Sequence, residues 1–142
     1  MPRVAGLKMD NAIYHIFNRG NQRQEVFHDE EDFQTFLSIL VHYKLKYGFK
    51  NYHFILIPNH FHFIWWIKNA EIMPKAMKEI TLAYTNVHHR KYNTIGHLWQ
   101  GRYKNMIVEE EKYLDRLAGY VERNAVRAGL VKEPGQWKLV QL

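Results

Sequence analysis

Apolar positions change their period several times along the chain, and each change marks an element. Residues 12–19 (AIYHIFNR) concentrate aromatic and β-branched side chains and stop at Gly20, which predicts a first strand. Residues 20–28 (GNQRQEVFH) read as polar and turn-like. Asp29 then offers an N-cap, and the acids behind it suit the positive end of a helix dipole. Phe33, Phe36, Leu37, Leu40 and Lys44/Tyr47 recur at helical spacing until Gly48 ends the run. Residues 52–57 (YHFILI) and 60–67 (HFHFIWWI) predict two more strands. The Pro58-Asn59 connection between them is so short that they must pair as an antiparallel hairpin. Met73, Met77, Ile80, Tyr84 and Val87 mark a second helix running to about Tyr92. Residues 97–108 (HLWQGRYKNMIV) read as an extended arm leading into a fourth strand. Three acids at 109–111 open a third helix that continues through Leu114, Leu117 and Val121 to about Arg127, with Gly129 as its stop.

The order is β-α-β-β-α-β followed by one more helix. It predicts an α+β protein with a ferredoxin-like split βαβ arrangement, an antiparallel sheet bearing helices on one face. No repeat, low-complexity tract or linker interrupts it, so the expectation is a single domain over residues 1–142. This architecture hosts many activities, so function has to be read from particular residues.

Composition narrows the choice. Lys and Arg outnumber Asp and Glu by 20 to 14, and a net charge of +6 favours polyanionic partners, nucleic acid foremost. The chain contains no cysteine, which excludes disulfides, thiolate zinc sites and cysteine nucleophiles, and is compatible with a reducing compartment. The N-terminus lacks the apolar core of a signal peptide, and no apolar run reaches the length of a membrane span. A cytoplasmic protein with no membrane association is expected.

Two constellations carry candidate chemistry. In His60-Phe61-His62 the imidazoles lie on one face of a strand, from which a pair can chelate one metal ion, while Phe61, Phe63 and Trp65 turn to the other face. The competing reading is two histidines satisfied by neighbours on a sheet surface. Against it, polar groups in so apolar a strand need partners. Tyr120 and Asn124, four residues apart, share one stripe of the third helix. A carboxamide oxygen is a hard ligand suited to Mg²⁺ or Mn²⁺ and can complete a set with His60 and His62. Alternatively, Tyr113, Leu117 and Tyr120 form only a packing stripe. Gly119 within that helix costs about 1 kcal/mol relative to alanine and hints at a close approach there.

The segments YHIFNRGNQRQEVF, IPNHFHFI, GHLWQGRYKNMIV and YLDRLAGYVERNAVRAGLV resemble, in the same order, those of the REP-associated tyrosine transposases. These are a branch of the IS200/IS605-like single-tyrosine HUH transposases. The resemblance spans residues 12–131 and implies that His60 and His62 are the histidines of the HUH motif. It implies further that Tyr120 is the nucleophile, that Asn124 is a metal ligand, and that the ion is Mg²⁺ or Mn²⁺. Ala125 departs from the pattern, since the family usually has proline after this asparagine. On the resemblance, no counterpart of the C-terminal DNA-recognition extension of some relatives is expected within the residues up to Leu142.

The implied reaction is transesterification on single-stranded DNA with hairpin or repeat structure, through a 5′-phosphotyrosine link and a free 3′-OH. A phenol with pKa of about 10 is only roughly one part in a thousand ionised at neutral pH, so it needs electrophilic help at phosphorus. Arg19, Arg23, Arg90, Lys91, Arg102, Lys104, Arg116, Arg123 and Arg127 are candidates for a phosphate-tracking surface, with Arg102 and Lys104 foremost. Trp99 and Tyr103 are candidates for stacking on splayed bases. His15 and Arg19 on the first strand are expected to approach the site. The resemblance also allows a homodimer in which one subunit lends its tyrosine helix to the other. Three readings stay open beside cleavage by tyrosine: a domesticated, non-cleaving binder of structured single strands, a metal-dependent nuclease that activates water, and a ferredoxin-like interaction module.

Overall fold

A computed structural model describes residues 8–108. Strand β1 (Ala12–Arg19) leads through a single 3₁₀ turn into helix α1 (Glu30–Tyr47). The hairpin β2 (Lys50–Ile57) and β3 (His60–Ile67) follows, then helix α2 (Ile72–Tyr92) and strand β4 (Lys104–Val108). The strands lie in the order β2-β3-β1-β4, and every neighbouring pair is antiparallel. This is the split βαβ arrangement the alternating periods predict, with the hairpin partner β3 inserted between β1 and β2. The expected third helix lies outside the described residues.

Local signals set the boundaries. The Asp29 carboxylate accepts a hydrogen bond from the Asp32 amide at 2.9 Å, capping α1, with Glu30, Glu31 and Asp32 in the first turn. Gly48 closes the helix at φ 74°, where its amide reaches the Lys44 carbonyl at 2.8 Å. Asn93 ends α2 in the same left-handed conformation, at φ 54°. Strand β2 begins at Lys50, earlier than the alternation suggests, because an irregularity between Asn51 and His53 shifts its register against β3.

Both helices pack on one face of the sheet. Phe33, Phe36 and Leu40 from α1 and Met73, Ala76, Met77, Ile80 and Tyr84 from α2 meet Tyr14, Ile16, Phe54, Leu56, Phe61, Phe63 and Trp65 from the strands. Aromatic rings dominate this layer: Phe36 stacks on Phe63 at 6.0 Å and lies edge-on to Tyr84 at 5.3 Å.

The segment that reads as merely polar, residues 20–28, needs correction. Val26 and Phe27 are fully buried, and both their amides donate to the Pro58 carbonyl, at 2.7 and 3.0 Å. The Tyr84 hydroxyl donates to the Val26 carbonyl at 2.5 Å. Two apolar side chains in a polar run produce no period, so the sequence pattern carries no trace of this anchor. It matters for position, because it pins the β2–β3 turn, from which His60 emerges, to the segment that follows β1.

Candidate metal centre and nucleic-acid interface

The alternation that sends Phe61, Phe63 and Trp65 into the helix-covered layer sends His60, His62, Ile64 and Trp66 to the opposite face. Register decides what stands beside them. Arg19 is directly across from His60, Phe17 from His62 and His15 from Ile64 on β1. On β2, Ile57 faces His60 and Ile55 faces His62. On β4, Lys104 faces Phe17 and Met106 faces His15. The face opposite the helices therefore collects His15, His60 and His62, with Arg19 and Lys104 beside them.

The two predicted metal-site histidines are brought together. Their ring centroids are 5.2 Å apart, with planes nearly perpendicular at 86°. His60 Nδ1 is 2.7 Å from the Asn59 side-chain oxygen. As placed, that oxygen can only accept, so the ring proton sits on Nδ1 and the His60 Nε2 lone pair is the one suited to a metal. His62 Nδ1 is 3.0 Å from His15 Nε2, and these two rings are stacked at 5.2 Å. Both His62 and His15 are buried.

Burial holds these rings neutral. It pulls the His15 pKa from 6.5 to about 4. It likewise pushes His62 well below the ordinary histidine range, helped by the nearby imidazoles of His15, His60 and His53. Neutral imidazole is the ligating form, so the donor set fits a divalent cation. Among the described residues no group of three or more His, Cys, Asp or Glu is placed to hold a metal ion. Of the ligand set expected from the sequence, the described residues include His60 and His62. Tyr120, Asn124, Arg123 and Arg127 all lie outside the described residues.

The basic residues separate into three environments. Arg19 Nε donates to Gln100 Oε1 at 2.6 Å, which fixes its guanidinium at the end of β1 beside His60. Lys104 is exposed and shares a row across the sheet with Phe17 and His62. Arg102 stands elsewhere, on a groove of about 690 Å³ between α2 and the arm that precedes β4. Lys75, Lys78 and Arg102 put three cationic side chains on its lining, beside apolar surface from Met77, Leu98 and the half-buried Tyr103.

Two expectations fail here. Lys91 does not belong to a phosphate-tracking surface, because its ammonium contacts Asp29, Glu31 and Asp32 at 2.8–2.9 Å. Nor is Trp99 a base-stacking residue. It is only 9% exposed, donates from Nε1 to Thr85 Oγ1 at 3.1 Å, and packs edge-on against Phe61. Asn59, the side-chain partner of His60, is a residue of this cluster that the sequence pattern does not single out. Its place directly before the H-x-H motif is the signal that could have drawn attention to it.

The described residues thus form an antiparallel ferredoxin-like sheet with a histidine pair on the face opposite α1 and α2. The sequence pattern of the family described as "Transposase IS200 like" matches residues 8–124, and the chain belongs to that family. Among solved structures it is similar to a REP-associated tyrosine transposase bound to a REP hairpin. The TM-score is 0.83 at 18% identity, covering 99% of this chain and 82% of that one. It is also similar to a chain assigned as a transposase from Deinococcus radiodurans R1. There the TM-score is 0.57 at 18% identity, with 87% and 95% of the two chains covered. No curated protein matches the sequence. No helix among the described residues is long and apolar enough to cross a membrane.

Proposed function

We propose that the chain is a REP-associated single-tyrosine transposase that cleaves and rejoins single-stranded DNA carrying hairpin or repeat structure, in the cytoplasm. The observation that carries this reading is the His60–His62 pair, with His62 held neutral by burial, set on one sheet face with Arg19 and Lys104 at its margins. His60, His62 and Asn124 would hold Mg²⁺ or Mn²⁺, the carboxamide oxygen complementing two imidazole nitrogens. A divalent ion so held would supply charge neutralisation at the scissile phosphate and polarisation of phosphorus.

The ligands themselves add no negative charge, so they do not cancel the attraction for a phosphodiester. Tyr120 Oη bonds to phosphorus as the bond to the 3′ oxygen breaks, and the phenolic proton passes to that departing oxygen. The products are a 5′-phosphotyrosine and a free 3′-OH. Because one phosphoester replaces another, the 3′-OH of a second strand can reverse the step without an energy source. Arg19, Lys104 and Arg102, with Arg123 and Arg127, track the strand's phosphates. A tyrosine that must reach the backbone suits an unpaired strand at a hairpin junction, and the similar chain with a bound REP hairpin supports that partner.

The test is incubation with labelled hairpin DNA from repeats flanking the gene, in Mn²⁺, followed by denaturing electrophoresis. A protein–DNA adduct is expected from the wild type and from neither Tyr120→Phe nor His62→Ala. Cleavage that survives Tyr120→Phe and leaves no adduct would overturn the tyrosine mechanism in favour of activated water.

A further inference from the structure

His15 is a buried imidazole that the proposed reaction does not use. It sits on β1 diagonally across from His62, with Ile64 as its direct partner and Phe17, the next residue on the same face, opposite His62. Its Nε2 lies 3.0 Å from His62 Nδ1, its ring stacks on His62 at 5.2 Å, and it packs against Phe17 at 5.0 Å. Among the described residues its own Nδ1 is buried without a hydrogen-bond partner. A buried polar atom left in that state is costly, so an inert aliphatic side chain would serve the core better unless the other nitrogen has a task.

We propose that His15 is a positioning residue for the metal centre: by accepting a hydrogen bond from His62 Nδ1–H, it orients the His62 ring and keeps the Nε2 lone pair directed at the cation. This role presupposes the metal site proposed above and follows from the two-sided chemistry of imidazole. A neutral ring carries one proton, so whichever nitrogen holds it cannot ligate. If His15 Nε2 instead donated to His62 Nδ1, His62 would carry its proton on Nε2 and be silenced as a ligand. Acceptance by His15 therefore selects the ligating tautomer. Asn59 does the same for His60, through an oxygen at 2.7 Å. Each metal-site histidine thus has its own acceptor, one from the preceding residue and one from the neighbouring strand. Outer partners of this kind contribute about 10–100-fold to metal affinity.

The test compares Mn²⁺ titrations of the DNA-free full chain for wild type, His15→Leu and His15→Gln, with thermal melting of each metal-free protein. The glutamine carboxamide oxygen can accept from His62 Nδ1–H, whereas leucine fills the space and accepts nothing. The expected result is an affinity lowered about 10–100-fold in His15→Leu and largely restored in His15→Gln. In DNA cleavage, saturating Mn²⁺ should recover most of the His15→Leu rate, so the defect appears in the metal concentration required rather than in the maximal rate. Equal affinity in wild type and His15→Leu, with His62→Ala still defective, would overturn the role of His15 while leaving the metal centre intact. If His60→Ala and His62→Ala also bind Mn²⁺ normally, the metal-site reading itself falls. Should His15→Leu fail to fold, nitrogen NMR of the Mg²⁺-loaded wild type decides the matter: a proton on His62 Nδ1 is required, and one on Nε2 refutes the proposal.

Discussion

The two faces of the β1–β3 pair are built from alternate residues of the same strands, yet they obey different rules. On the helix side, Tyr14, Ile16, Phe61, Phe63 and Trp65 form a layer held by burial and ring packing. On the other side, His15, Phe17, His60 and His62 stand in matching rows, ordered by hydrogen bonds between named nitrogen and oxygen atoms. Burial stabilises every side chain of the first face, whereas on the second it stabilises Ile64 but penalises the imidazoles, whose charge desolvation suppresses. The strand thus divides its labour by parity: odd residues of β3 hold the fold, and even residues carry the proposed metal site.

The largest effect that can break this division is on the helix side. Phe63→Ala should cost about 3–5 kcal/mol of stability, read as a lowered urea midpoint, since Phe63 is fully buried among aromatic neighbours. Its folded fraction should bind Mn²⁺ normally. Lost metal affinity in the folded protein would mean that the faces are not separable.

A pH scan of the metal-free protein sharpens the contrast from the other side. The His15 pKa is about 4 in the fold against 6.5 in the unfolded chain. Below pH 6.5 the unfolded chain therefore binds a proton that the fold refuses, and stability falls with pH until about pH 4. The full loss from this group is roughly 3 kcal/mol. In His15→Gln, urea midpoints should vary less across that window. An unchanged pH profile would show that His15 does not enter the fold neutral.

His62→Ala should remove metal binding by at least about a hundredfold while disturbing stability less than Phe63→Ala does, as isothermal titration and melting would show together. The smallest effect belongs to the margins. Lys104→Ala or Arg102→Ala should leave melting unchanged and lower the salt dependence of DNA binding by about one counterion each. A larger loss confined to one DNA sequence would instead give that residue a role in base recognition.

Much of this organisation is legible in the amino-acid sequence. Asp29, Gly48 and the Pro58-Asn59 turn act within a few residues of themselves, so the limits of α1 and of the hairpin follow from local chemistry. Parity likewise separates His60 and His62 from Phe61 and Phe63 on the strength of their positions in the chain alone. Register does not follow from either. That His15 falls diagonal to His62, rather than two residues away along the strand, depends on how β1 aligns with β3. Trp99 escapes a sequence reading for a related reason: its arm has no period, and only Thr85 and Phe61 reveal that the indole is part of the core. Lys91 reads as a free cation because its three carboxylate partners lie some sixty positions earlier in the chain.

The hairpin β2–β3 closes over a two-residue turn, so it can form early and locally, on the microsecond scale of such units. The contact between His15 and His62 spans 47 residues and must wait for β1 to dock in the middle of the sheet. Of the two outer acceptors, Asn59 is therefore in place from the first turn, while His15 arrives with the slow, long-range step of folding. A cation that needs both rings oriented cannot act as a template for the nascent chain. In the proposed metal centre it would reward the molecule only once the central strand is home, tying metal competence to completion of the sheet.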